Sequence, residues 1–197
     1  MTGSRPRNAT LLAIAFEGGL VLFAWGLGRV TGFPIASQMH VSWAAIGMAV
    51  GETLPLLLLA WWSLHTRWTP VAQFVETVRK AVVPIFAGTP VYALALVSFL
   101  AGVGEEALFR GVLLSVAAKW LGGLGALVAT SVLFGLAHIV TPGYAVVAGL
   151  VGAYLGGLAL LHQNILVPML VHALYDFVAL AYLLPLVGRT GVGKGPS

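Results

Sequence analysis

The chain has 197 residues, of which 59% are hydrophobic and only 8% are charged. A soluble domain carries roughly 25% charged residues, so this composition excludes an ordinary soluble protein. The net charge is +4, but the basic residues are scattered and form no stripe with interleaved aromatic residues, so we expect no nucleic-acid partner. The absence of cysteine excludes disulfides, thiolate metal sites and cysteine nucleophiles.

Apolar runs fill most of the chain. From Trp120 to Tyr175 there is no Asp, Glu, Lys or Arg, and this stretch is more than twice the ~20 residues that span a bilayer. We therefore predict an all-α, polytopic transmembrane helix bundle that forms a single integral-membrane domain over residues 1–197. About six spans are expected, at residues 9–30, 42–64, 89–118, 121–140, 142–161 and 165–187.

One segment between the second and third spans has a different pattern. Residues 69–83 carry Val and Phe on one side and Gln, Glu, Arg and Lys around the other, which is typical of an amphipathic helix lying in the membrane interface. The pairs Thr69-Pro70, Thr89-Pro90 and Thr141-Pro142 predict helix starts, because Thr can cap free amides and Pro fits the first helical position.

The basic residues predict the orientation. With the N-terminus in the cytoplasm, most of them fall on the cytoplasmic side and only two outside, as the positive-inside rule requires. We expect a multi-pass protein of the cell membrane with both termini cytoplasmic. The inside set is Arg5, Arg7, Arg67, Arg79, Lys80, Arg189 and Lys194, and the outside set is Arg29 and Lys119.

Ionisable residues inside the spans are few, and such residues usually face a cavity and carry a function. Glu106 and Arg110 are four residues apart with the acid first, the favourable order for a helical ion pair. Glu105 points about 100° away, so its carboxyl is expected to be desolvated without an obvious partner and to suit a general base.

Two later helices carry the histidines. Phe134 and His138 share one helix face through their spacing of four, and His172 and Asp176 share another. One carboxylate base, two imidazoles and a further polar group can hold a water molecule and stabilise an oxyanion, so the set suits hydrolysis.

These three motifs, Glu-Glu-x-x-x-Arg, Phe-x-x-x-His and His-x-x-x-Asp, occur in this order in a small polytopic chain. The pattern resembles the CAAX protease and bacteriocin-processing (CPBP, or ABI) family of intramembrane endopeptidases, over a catalytic core at residues 89–187. The resemblance implies that Glu105 and His138 activate water, and that His172 and Asp176 polarise the scissile carbonyl. Glu106 and Arg110 would support the site, together with Phe134. Membrane lipid and a membrane-anchored, lipidated or hydrophobic protein or peptide are the expected partners.

Two points about the chemistry stay open. Family members often carry Asn where this chain has Asp176, and an ionised Asp cannot donate to an oxyanion, so Asp176 could instead accept from His172. Glu105, His138 and His172 could also bind Zn²⁺ with water in the fourth position. We favour a glutamate mechanism that requires no cofactor, with the zinc site as the alternative.

Other functions compete with the protease. Glu17, Glu52, Glu105 and Asp176 could relay protons in a proton-coupled transporter, and a non-catalytic immunity or binding protein could keep the same fold. Glu17 and Glu52 match no motif and are expected to be hydrogen-bonded packing groups. A straight, full-length fourth span would keep His138 from His172. Either the span boundaries are shifted by a turn or two, or residues 141–143 form a turn at membrane depth that packs in protein or lines a cavity. We expect the turn.

Overall fold

The computed structural model describes the backbone of residues 4–190 and the side chains of residues 8–184. Arg5, Arg7, Arg189 and Lys194, which enter the predicted orientation, lie outside the described side chains. Within residues 4–190, seven α-helices follow one another: α1 (Ser4–Thr31), α2 (Trp43–His65), α3 (Thr69–Phe86), α4 (Val91–Glu106), α5 (Leu114–Ala137), α6 (Pro142–His162) and α7 (Leu166–Thr190). A short 3-10 helix (Ile35–Gln38) follows α1, and a π-helical segment (Ala107–Leu113) joins α4 to α5.

Five segments of the described chain are long and apolar enough to cross a membrane, which confirms the predicted polytopic helical bundle. They are Asn8–Thr31, Trp43–His65, Val91–Ala137, Pro142–His162 and Leu166–Leu184. The third contains 47 residues and merges the two spans predicted at 89–118 and 121–140. By length and composition alone, this segment could cross the membrane twice.

The 47-residue segment folds back on itself. Phe109 and Phe134 have ring centroids 5.0 Å apart, whereas a continuous helix would separate the two residues by about 37 Å. The reversal occurs at Gly122, whose backbone angles (φ 67°, ψ 172°) are not helical and favour glycine. The helix from there to Ala137 is about 22 Å long, which is shorter than the ~30 Å hydrocarbon core. Within the predicted 121–140 span, the helix therefore runs only from Gly122 to Ala137.

Helix α3 is not one of the five membrane-crossing segments, and it carries the amphipathic pattern predicted for 69–83. On its polar side, the hydrogen bond from Arg79 lowers the pKa of the Glu76 carboxyl. The threonine caps are found at only one of the three predicted starts, where the Thr141 hydroxyl accepts from the Tyr144 amide at 3.1 Å. Thr89 instead pairs with Thr10 through their hydroxyl oxygens at 2.7 Å.

Glycines let α4 pack closely on two neighbours. A Cβ at Gly102 would lie 2.6 Å from the Met169 carbonyl oxygen of α7, and one at Gly104 would lie 3.2 Å from the Glu17 carbonyl oxygen of α1. Small residues allow such close approach between membrane helices, where no hydrophobic force drives association. The packing places the C-terminal turn of α4 between α1 and α7, and this turn carries Glu105 and Glu106.

Candidate active site

The ion pair predicted from the spacing of Glu106 and Arg110 is present and fully buried. Arg110 Nη1 donates to Glu106 Oε1 at 2.7 Å, and the two side chains are 1% and 0% exposed. Arg110 Nη2 donates to the Gly152 carbonyl of α6 at 2.7 Å. The π-helical segment begins directly after Glu106, and π-helical turns occur often at functional sites. The pair therefore ties α6 to the start of this segment.

His172 joins the same network from α7. Its Nδ1 lies 3.0 Å from Glu106 Oε1, and because an ionised carboxylate only accepts, the imidazole N–H is the donor. The other ring nitrogen, Nε2, lies 3.4 Å from Asp176 Oδ2. Both nitrogen atoms of His172 thus face carboxylates, one in the buried network and one at a side chain that is 33% exposed.

Glu105 pairs with His138, although the sequence suggested no obvious partner for it. Its Oε2 lies 3.3 Å from His138 Nε2, and within the described side chains this buried oxygen has no hydrogen-bond partner. His138 Nδ1 donates to the Phe134 carbonyl at 2.8 Å, so Nε2 of the neutral ring is an acceptor directed at Glu105. A carboxylate oxygen and an imidazole nitrogen that lie side by side in this way can both accept from one water molecule next to them.

Phe134 is the ring around which the site is assembled. It stacks on His138 with centroids 4.3 Å apart and meets His172 edge-on at 6.1 Å. The Arg110 guanidinium lies 4.5 Å from the same ring centroid, a cation–π distance. The ring thus contacts both histidines and the buried arginine, and it fixes their spacing.

The turn after His138 differs from the expectation. Helix α5 ends at Ala137 and α6 begins at Pro142, but Ile139 and Val140 between them are 60% and 56% exposed. A turn is thus present where it was predicted, with Pro142 and Gly143 exposed and not enclosed by protein, and its depth in the membrane stays a prediction. The short second half of α5 brings His138 to the level of His172 without an enclosed turn.

Two further side chains, which the motifs did not identify, interact electrostatically with residues of the site. Glu17 of α1 has a buried Oε2 without a hydrogen-bond partner and interacts electrostatically with Glu105 and His172, so it is not the hydrogen-bonded packing group expected. Tyr144 of α6 interacts electrostatically with Asp176 and Glu105. An acid in mid-span was a usable signal for Glu17, whereas Tyr144 belongs to no recognisable pattern.

Glu52 has different partners. The Tyr154 hydroxyl donates to Glu52 Oε2 at 3.0 Å and to the Glu52 carbonyl at 2.7 Å, and His162 Nε2 lies 3.7 Å from Oε1. This cluster links α2 to α6, as expected for a hydrogen-bonded packing group. Its described partners include none of the motif residues, so it does not extend the proton relay considered for a transporter.

The geometry bears on the zinc alternative. Within the described part of the chain, no three His, Asp or Glu side chains are grouped closely enough to hold a metal ion. Zn²⁺ on Glu105, His138 and His172 would require a nitrogen of His172 to leave Glu106 or Asp176. The residues as placed do not fit the metal, and we derive no step through it.

Residues 87–178 match a family model described as "Type II CAAX prenyl endopeptidase Rce1-like". The match spans nearly half of the chain, includes all three motifs, and confirms the resemblance drawn from them. It supports a membrane-embedded protease of the CAAX type. Among curated proteins and among solved structures, none matches the chain significantly.

Proposed function

We propose that the protein is an intramembrane endopeptidase that hydrolyses a peptide bond of a membrane-anchored, lipidated or otherwise hydrophobic precursor. The observation that carries the proposal is the contact between Glu105 Oε2 and His138 Nε2 at 3.3 Å, beside a buried network that reaches a second histidine. The protein would act in the cell membrane with both termini in the cytoplasm, in contact with membrane lipid.

In this mechanism, a water molecule next to Glu105 and His138 is held by hydrogen bonds to both side chains. Glu105 accepts a proton from the water molecule while the water oxygen attacks the scissile carbonyl carbon. The hydrogen bond from His138 Nδ1 to the Phe134 carbonyl fixes the ring with Nε2 towards the water. When the carbon–nitrogen bond breaks, Glu105 returns the proton to the departing amine, as general acid–base catalysis requires.

The buried network orients the second histidine. Glu106 accepts from both Arg110 and His172 through the same oxygen, so the imidazole of His172 is held in one orientation, edge-on to the Phe134 ring. Asp176 contacts its other nitrogen. His172 and Asp176 then position the carbonyl, and Glu106 and Arg110 act by supporting them.

The mechanism requires no cofactor, because the carboxylate and the imidazole supply the proton transfers that a zinc-bound water would otherwise provide. The contact between Glu105 and His138 supports this assignment of a glutamic-type protease. The zinc-dependent enzyme is the alternative, and the chelation experiment described in the Discussion distinguishes the two.

The test uses the purified full-length protein in liposomes with lipidated and membrane-anchored peptides, and cleavage products are identified by mass spectrometry. Glu105→Gln and His138→Ala should each abolish cleavage and leave the protein folded, because they remove the water-activating pair and little packing. Glu52→Gln is the matched control, since it also alters an intramembrane carboxyl but leaves this pair intact. Near-normal turnover in Glu105→Gln would refute the proposal.

A further inference from the structure

The buried network joins two elements that must be held at a fixed separation. Arg110 lies in the π-helical segment and His172 lies in α7, and both donate to Glu106 Oε1, at 2.7 and 3.0 Å. A relative shift of the two elements by about 1 Å would take one of these contacts beyond hydrogen-bond distance. Both elements contact the loop between α1 and α2, and they do so at one residue, Gln38.

The side chain of Gln38, the last residue of the short 3-10 helix, binds the π-helical segment. Its Nε2 donates to the Gly111 carbonyl at 3.1 Å, and Gly111 directly follows Arg110 in the chain. The same amide donates to the Phe33 carbonyl of its own loop at 3.2 Å and accepts from the Ser115 hydroxyl of α5 at 3.4 Å. Side-chain donors of this kind satisfy backbone carbonyls where a membrane helix departs from α-helical pairing. The amide of Gln38 therefore holds the backbone next to Arg110.

The backbone of the same residue holds the start of α7. The amide of Ile165, which directly precedes α7, donates to the Gln38 carbonyl at 3.1 Å. The Ile165 carbonyl in turn accepts from the Met169 amide at 3.1 Å, so this residue is joined to the first turn of the helix. Ile165, Met169 and His172 lie on one helix face, because their spacing is i, i+4 and i+7. Gln38 thus binds both elements of the network, one by its side chain and the other by its backbone.

Close packing at Gly111 joins the loop to both elements. Ile35, at the start of the 3-10 helix, is 1% exposed. A Cβ at Gly111 would lie 2.5 Å from Ile35 Cδ1 and 3.4 Å from Ile165 Cδ1, so the loop, the π-helical segment and the start of α7 meet at this glycine. Densely packed groups transmit a displacement to their neighbours. A shift of the loop at Gln38 therefore changes how the two elements are placed.

From these contacts, and resting on the proposed function, we infer that Gln38 is a positioning residue of the protease. It lies outside the three motifs, and its described hydrogen bonds go to none of the motif side chains. It acts through Arg110 and His172. Its amide holds the π-helical segment, its carbonyl holds the start of α7, and together they keep both donors within reach of Glu106.

The first variant is Gln38→Met, which keeps the length of the side chain and the backbone carbonyl but removes the amide. Tyr154→Phe is the matched control, because it also removes a polar group that links two parts of the bundle, at Glu52 of α2. Both variants should lose a similar, small amount of stability. In the liposome assay, Gln38→Met should lower kcat about 10–100-fold, as expected when groups of the site are misplaced by up to about 1 Å, with KM changed less than about threefold. Tyr154→Phe should keep kcat within about threefold of the wild type, because the network stays in place.

A spectroscopic measurement follows the network without any cleavage. NMR of the purified full-length protein with isotope-labelled histidine detects the His172 Nδ1 proton, which is assigned by its absence from His172→Asn. Its hydrogen bond to Glu106 should weaken in Gln38→Met, so the resonance should move upfield, whereas it should not move in Tyr154→Phe. Gln38→Asn is a milder variant that keeps an amide in the loop but withdraws it from Gly111 by one methylene. It should move the resonance in the same direction.

Three results would each overturn the inference. They are wild-type-like kcat in the Gln38 variants that fold, an unmoved His172 resonance in those variants, and equal losses of kcat in Gln38→Met and Tyr154→Phe. Failure of the proposed function is distinguishable, because it appears as no cleavage by the wild type or as full activity in Glu105→Gln. The His172 resonance, in contrast, reports on the network in the absence of substrate.

Discussion

Replacing Arg110 by Ala tests whether the buried network stabilises the fold as well as the site. The change removes both a 2.7 Å bond to Glu106 and a 2.7 Å bond to the Gly152 carbonyl, in surroundings where Glu106 is 0% exposed. Removing one partner of a buried ion pair costs about 3–5 kcal/mol, because the other charge stays buried without compensation. The folded-to-unfolded ratio should therefore fall roughly a hundred- to a few-thousand-fold.

The assay is the free energy of unfolding, measured by titrating the purified protein in mild-detergent micelles with a denaturing detergent. Arg79→Ala is the matched control, since Arg79 also pairs with a glutamate in its own helix, but the side chains of that pair are 34% and 41% exposed. Water solvates both charges there, so the control should be close to wild type. An Arg110→Ala protein as stable as the control would refute the reasoning.

A double variant checks the cause. Glu106→Gln in the Arg110→Ala background removes the unpaired charge, and the amide oxygen can still accept from His172 Nδ1. Much of the lost stability should return, as expected when two coupled residues are changed together. If the double variant is no more stable than Arg110→Ala, the cost comes from lost packing and not from the stranded carboxylate.

The remaining predictions concern the chemistry at Asp176 and the role of metal. Asp176→Asn should retain or increase the rate of cleavage, because an amide N–H can donate to the oxyanion where an ionised carboxylate repels it. A loss of rate that is reversed only by excess metal would instead make Asp176 a ligand. Chelators should leave wild-type cleavage unchanged, and added Zn²⁺ should inhibit by binding Glu105 and His138 in place of the water molecule. Chelator-sensitive cleavage restored by Zn²⁺ would replace the glutamate mechanism with the metal-dependent one.

The parts of the site that could be predicted from the sequence are those set by local helical geometry. The Glu106–Arg110 pair follows from a spacing of four, and so does the placement of His172 beside Asp176. The contact of Glu105 with His138 joins two helices, so it depends on where the chain reverses. The span boundaries predicted a loop near residue 120. The chain reverses at Gly122, which is the one residue in α5 with a non-helical conformation.

Other features depend on packing that no periodicity encodes. The threonine at 89 could cap α4, but it pairs with Thr10 instead, because the start of α1 packs beside it. Glu17 has no partner within hydrogen-bond spacing along α1, and only the close approach of α1 to Gly104 brings it towards the site.

The exposure of the motif residues divides the site into two halves with different tasks. The Glu106, Arg110 and His172 side chains are 0%, 1% and 8% exposed, whereas those of His138 and Asp176 are 28% and 33% exposed. Water and a peptide can reach the second half without unfolding the bundle, together with the edges of Glu105 and His172, which are 11% and 8% exposed, so the chemistry belongs there. The first half excludes water, and there the Glu106–Arg110 ion pair holds His172 in place. Losing that ion pair is costly because its charges are buried. Changes at Glu105 should therefore affect the rate alone, and changes at Arg110 both rate and stability.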